Sequence, residues 1–231
     1  MQAETLIGVA VQPGDGGTNL LSDVAYSRIL EILFERRLPA GAFVSQKELV
    51  EMTGVPIAPL RDALRVLEAE GIVRIQPRSG IQFVKPGLEL TRATYQFRGI
   101  IEASAVAVYA DTGDEAEIAE IERRHRLAIE VIEVEGLTAA TRTEVDALES
   151  LLHNAIIASL GNPLIDTSYR RIHNYLRLVR LDRKMTPPLA LRSLREHIAI
   201  IEACRRRDPA RAVAALQTHF ANALQRNMGL Y

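Results

Sequence analysis

The stretch LPAGAFVSQKELVEMTGVPIAPLRDALRVLEAEGIVRIQPRSGIQFV, Leu38–Val84, decides how this chain begins. Within it, Ser45 is followed three residues later by Glu48, a pattern in which each side chain caps the other's backbone. A short helix therefore starts there, buries Leu49 and Val50, and ends at Gly54. After "VPIA", Pro59 fits the first turn of a second helix, where its missing N–H costs nothing. "PLRDALRVLEAEG" turns Leu60, Ala63, Leu64 and Leu67 inward and projects Arg61 and Arg65 outward, one turn apart, until Gly71 closes it. Two apolar runs come next, Ile72–Ile75 and Ile81–Val84, about "PRSG". They predict a hairpin with Arg78 at its tip.

Upstream, "LSDVAYSRILEILFERRL" spaces Val24, Ile29, Ile32 and Leu33 as one helical face, with Ser22 or Asp23 as the N-cap and "PAG" as the break. Three helices and a small β-hairpin make a winged helix-turn-helix, whose two-helix unit suits the major groove of DNA, the N-terminal part of its second helix meeting base edges. Arg61 is placed for bidentate contact with guanine or phosphate, and Arg78 for a phosphate or the minor groove. Ser45, Gln46, Ala58, Arg65, Ser79 and Gly80 complete the candidate DNA surface. A winged helix used only for protein contact is the plainer alternative, since an exposed arginine pair is often just a solvated face.

The totals bound the rest. At 231 residues, 48% hydrophobic and 25% charged, the chain buries a real core. Its net charge is −1, so any nucleic-acid surface is a local face and not a globally basic domain. One cysteine, Cys204, excludes an internal disulfide framework and fits a reducing cytosol. The N-terminus carries an early acid and a short apolar run, which reads as a flexible tail over residues 1–20 and not as a secretory signal. No apolar run approaches the roughly 20 residues needed to cross a bilayer, so a cytoplasmic protein without a membrane partner is expected. The domains expected are 21–86 for the winged helix, 87–90 for a linker, and 91–231 for a second, larger domain.

Beyond residue 90 no strand pattern returns. Six helical segments are expected, at Thr91–Ala110, Asp114–Glu135, Thr143–Leu160, Leu164 to about Lys184, Leu189–Arg207, and Asp208 to about Asn227. Asp208 is the N-cap of the last and Pro209 its N1 residue. The fold class is thus mainly α, a winged helix followed by an antiparallel helical bundle. Three of the five histidines, His153, His197 and His219, fall within or beside inward stripes of three different helices. Glu149 stands one turn before His153 on the same face. Three imidazoles and one carboxylate inside a bundle suit a divalent metal, Zn²⁺ first and Ni²⁺, Co²⁺, Mn²⁺ or Fe²⁺ as alternatives. Each histidine taken singly also reads as a satisfied core residue, and Asp146, two turns before His153, is the rival carboxylate.

The stretch from Leu38 to Val84 resembles the DNA-binding domain of the GntR family of bacterial transcriptional regulators, in register from the first helix through the wing. Pro56-Ile57-Ala58 stands where that family usually has Ser-Arg-Thr before the proline of its recognition helix; Arg61 matches the second family arginine and Gly80 the wing glycine. The rest is similar to the FCD effector domain of the FadR-like subfamily. Arg98 and Glu102 in "YQFRGIIEASAVAVYA" match its Arg-x-x-x-Glu opening, "HNAIIASLGNPLI" its His…Gly-Asn-Pro-Leu segment, and "EHIAIIEAC…DPARAVAALQTHF" its closing helices. The resemblance implies metal ligands at Glu149, His153, His197 and His219, with Glu149 in place of the usual Asp. It implies a homodimeric, ligand-responsive regulator, usually a repressor, that binds palindromic double-stranded operator DNA and takes a small organic acid as effector. Arg98 is the natural counter-charge for that acid, with an ion pair to Glu102 as its plainer role, and Arg171 and Asn174 are further candidates for the pocket. No enzymatic activity is expected; a direct metal sensor and a metal-dependent bundle enzyme are the alternatives.

Overall fold

A computed structural model of the chain describes residues 16–77, 79–181 and 185–229, with side chains from Leu20 onward. The chain divides into two compact units, one ending at Val84 and the other beginning at Lys85.

The first unit holds α1 (Gly16–Phe34), β1 (Phe43–Val44), α2 (Gln46–Thr53), α3 (Ile57–Ala69), β2 (Val73–Gln76) and β3 (Gly80–Phe83). Ser45 and Glu48 form the full capping box ahead of α2, and Gly54 ends that helix in the left-handed region at φ 65°. Helix α1 starts before the expected cap, so Ser22 and Asp23 lie inside it, and the end of the supposed tail is helical. Ala25, Ile29, Ile32 and Leu33 form its buried face, with Val24 only half-buried beside them. Pro56 is the N-cap of α3, which puts Pro59 at its third position. Backbone N–H groups of the first turn have no intrahelical partner, so proline remains tolerated there.

The hairpin gains a third strand. β1 pairs antiparallel with β3, giving the order β1-β3-β2 with Ile75 opposite Ile81. Two residues are too few to display an alternating pattern, which is why the sequence pattern predicts only a hairpin. Leu49, Leu60, Leu64, Leu67, Ile72, Ile81 and Phe83 are buried almost completely; α3 packs on α1 and β2, and α2 on α1 and α3. Val50 is only half-buried.

The second unit is helical: α4 (Leu88–Thr112), α5 (Glu115–Glu135), α6 (Ala139–Ala158), α7 (Pro163–Leu181), α8 (Pro187–Arg205) and α9 (Pro209–Met228). Gly87 is the N-cap of α4, so most of the expected 87–90 linker belongs to that helix. Helix α6 starts four residues earlier than the apolar pattern suggested, because Thr138 and Thr141 form a capping box. Asp114 and Asp208 cap α5 and α9 through their side chains. Helix α4 packs along α9, α9 against α8, and α8 against α5, while α6 bridges α4 and α5. Tyr95, Val106, Tyr109, Ile121, Leu152, Ile156, Ile200, Leu216 and Phe220 form the main core between them. No described helix is long and apolar enough to cross a membrane.

Candidate functional site

Inside the second unit, Leu148, Leu152 and Ile156 turn one face of α6 inward, and Glu149 and His153 ride on that face. His197 enters from α8 and His219 from α9, and all four side chains are buried. One donor atom from each lies within 4.8 Å of the other three. Glu149 Oε1 is 3.4 Å from His153 Nε2, and Oε2 is 3.2 Å from His197 Nε2. A tetrahedral ion with bonds of about 2.1 Å separates its donors by about 3.4 Å. Asp146, the rival carboxylate, is exposed and outside this group.

The outer nitrogens explain why the inner ones converge. His153 Nδ1 is hydrogen-bonded to Glu102, and His219 Nδ1 lies 2.9 Å from Glu196 Oε2. His197 Nδ1 is 3.1 Å from His125 Nε2, while His125 Nδ1 is 2.7 Å from the carbonyl oxygen of Ile121. A carbonyl only accepts, so His125 carries its proton on Nδ1 and accepts through Nε2 from His197 Nδ1–H. His197 therefore keeps an Nε2 lone pair. The carboxylates fix the same tautomer on His153 and His219. Among the described residues, the Nε2 atoms of His153, His197 and His219 have no hydrogen-bond partner. A satisfied core histidine uses both nitrogens; these three each leave one lone pair facing a carboxylate. Burial lowers the pKa of each of the three, which keeps the rings neutral and fit to ligate.

Two arginines border the cluster. Arg98 Nε donates to Glu102 Oε1 at 2.6 Å and Nη1 lies 3.4 Å from Glu149 Oε1. Arg180, at the end of α7, donates to the same Glu149 oxygen at 2.6 Å. Tyr169 donates its hydroxyl to Glu102 at 2.9 Å. Burial alone would raise the Glu149 and Glu102 carboxyls; Arg180 and Arg98 outweigh it, holding Glu149 well below the usual range and Glu102 at about 2. The Arg98–Glu102 pair exists, but within one helix and fully buried, not on the surface. Asn174 is buried on α7. Arg171 is exposed and donates to the Tyr175 hydroxyl at 3.3 Å, so the fold does not bring it to the cluster.

Sequence reasoning missed Arg180, Tyr169, His125, Glu196 and Arg226. Arg180 and Tyr169 sit in the basic run of α7, which reads as a solvated face. Glu196 alone carried a signal, as the neighbour of His197.

In the first unit, Arg61 Nε donates to Gln46 Oε1 at 2.9 Å, tying the exposed start of α2 to α3. Ala58 is exposed in the first turn of α3, and Arg65 is exposed beside Asp62 at 3.5 Å. The Ser45 hydroxyl is engaged with Glu48. Ser79 is exposed at the hairpin turn, its N–H bonded to Gln76 O; Arg78 lies outside the described residues. Gly80 has φ +122°, and a Cβ there would stand 2.6 Å from Val44 O, so glycine is demanded by the third strand.

Compared with known families, residues 21–83 match the model of the bacterial regulatory proteins of the gntR family, and residues 93–222 match that of the FCD domain. The chain belongs to the GntR family and carries an FCD domain. This GntR regulator is 26% identical over 221 residues to the HTH-type transcriptional repressor NanR of Citrobacter rodentium, spanning 86% of this chain and 82% of the relative. Escherichia coli McbR/YncC has the same fold, at a TM-score of 0.76 and 16% identity over 91% of this chain and 98% of that one. The zinc-bound FCD domain of TM0439 is 27% identical, with a TM-score of 0.50 over 63% of this chain and 96% of that one. The protein is a transcriptional regulator and not an enzyme.

Proposed function

We propose that this regulator is a ligand-responsive repressor, working in the cytoplasm as a homodimer on palindromic double-stranded operator DNA. Its FCD domain would hold a divalent metal on Glu149, His153, His197 and His219. The observation that carries this reading is the convergence of three buried, unpartnered Nε2 atoms on one carboxylate. Three nitrogens and one oxygen suit zinc best, and the FCD domain of TM0439 is known in a zinc-bound form. When bound, the ion supplies a Lewis-acidic anchor for a small carboxylate effector. Arg98 keeps the Glu102 carboxylate charged, and Glu102 in turn orients His153. Arg98 also offers the counter-charge for the effector, since a guanidinium matches a carboxylate bidentately; Asn174, buried on α7, is the remaining candidate there.

On the DNA side, Gln46, Ala58, Arg61 and Arg65 would face the major groove, with Ser45 fixing the start of α2. Arg78, Ser79 and Gly80 would place the wing on the backbone. The unit ending at Val84 would serve DNA, and the helical unit from Lys85 onward the effector and the dimer. Effector binding switches the protein only by favouring one of two dimer geometries over the other. NanR, named a repressor, supports that direction of control.

Selection of bound duplexes from a random library should recover a palindromic motif. On that motif, Arg61→Ala should weaken gel-shift affinity about ten- to a hundredfold, the scale of one bidentate base contact. Unchanged affinity, with the variant still folded, would remove Arg61 from the interface.

A further inference from the structure

The buried charges around the three imidazoles cancel before any ion is counted. Glu102 is matched by Arg98 at 2.6 Å, and Glu149 by Arg180 at 2.6 Å. One layer out, Glu196 is matched by Arg226 at 2.7 Å. Each imidazole keeps one proton, on the Nδ1 that faces Glu102, His125 or Glu196, and leaves its Nε2 unpartnered, so the rings add no charge. A divalent cation here would thus bring two positive charges into a closed place that holds no spare anion. Uncompensated charge in such a place is costly. One monocarboxylate would remove half of it; two negative charges are needed to remove it all.

Two donors stand ready for the second negative charge. Arg98 Nη2 and Arg180 Nε are buried and have no hydrogen-bond partner among the described residues. Both guanidinium groups already meet at Glu149 Oε1. The two differ in access: the Arg98 side chain is 1% exposed and the Arg180 side chain 18%. Arg180, on the last turn of α7, is the one charged group of the four that reaches solvent appreciably. When Glu149 turns an oxygen to an ion, Arg180 loses part of its partner and is free to take another carboxylate.

From this, and resting on the metal reading above, we infer that the site takes a dianionic ligand of the short dicarboxylate class, with Arg180 selecting for the second carboxylate. One end of the ligand meets the ion and the other meets the paired guanidinium donors. A monocarboxylate of equal length leaves those donors unpartnered.

The test uses the full chain loaded with zinc, its content measured at one ion per chain. Calorimetric titration compares pairs of equal carbon number at constant ionic strength: malonate with propionate, succinate with butyrate, glutarate with valerate. At least one dicarboxylate should bind about ten- to a hundredfold tighter than its partner, the scale of a charge-assisted hydrogen bond. Arg180→Gln, assayed with its zinc content verified, should bring that ratio close to one, and Arg180→Lys should restore part of it. Equal binding of the paired acids to the wild type, binding of none of the six, or a ratio that persists in Arg180→Gln would each overturn the dianion proposal and leave the metal centre standing. A wild type that takes up no zinc would overturn the metal reading itself.

Discussion

His125 touches none of the four proposed ligands' donor atoms, yet it fixes which nitrogen of His197 faces the cluster. It does so through a relay from Ile121 O to His125 to His197. Partners of this kind orient a ligating ring, and their loss commonly costs ten- to a hundredfold in metal affinity. His125→Ala should therefore lower zinc affinity by about that factor, read by chelator competition, with the fold retained by circular dichroism. Protons act on His125 and on His173, a half-buried histidine of α7. Burial holds His125 at about 3 and His173 at about 4, against an ordinary value of 6.5. The unfolded chain takes up these protons as pH falls below 6.5 while the folded chain does not, so acid favours unfolding. Metal-stripped protein should keep its thermal midpoint from pH 8 to about 7 and lose it progressively from about 6.5 towards 4. A midpoint flat across that range would contradict neutral buried rings. His153, His197 and His219 were legible because apolar residues surround each at helical spacing. His125 was not, because "ERRHRLA" surrounds it with charge and no periodic signal separates its inward face from the solvated one.

Elements were legible where local chemistry fixes their ends. Ser45 with Glu48, and Asp208 with Pro209, mark helix starts that the structure keeps. Starts that depend on less obvious caps shifted: Thr138 with Thr141 carries α6 back to Ala139, and Pro56 stands before α3. Strand β1 was invisible because its two residues acquire strand character only by pairing with β3. That pairing passes close to Gly80, where both a positive φ and the Val44 carbonyl exclude a side chain. Gly80→Ala should cost the winged helix about 1–3 kcal/mol, the scale of one strained backbone position, as a lowered unfolding midpoint. An unchanged midpoint would mean that β1 is not held as described.

At the scale of the whole molecule, division into a winged helix and a helical bundle could be read from the disappearance of strand pattern after residue 90 and from the six separately stopped helices beyond it. The buried ion pairs could not. Arg98 with Glu149 and Arg180 with Glu149 join residues 51 and 31 positions apart, across helices whose facing sides only packing decides. The bundle converges its unpaired donors on a single point, and a divalent ion there would tie α6, α8 and α9 together. The most direct measurement is elemental analysis of the purified full-length chain beside the double variant His197→Ala, His219→Ala, both dialysed against zinc and then against buffer. The wild type should retain one ion per chain and the double variant close to none. Full occupancy in the double variant, or none in the wild type, would contradict the metal centre on which the functional reading stands.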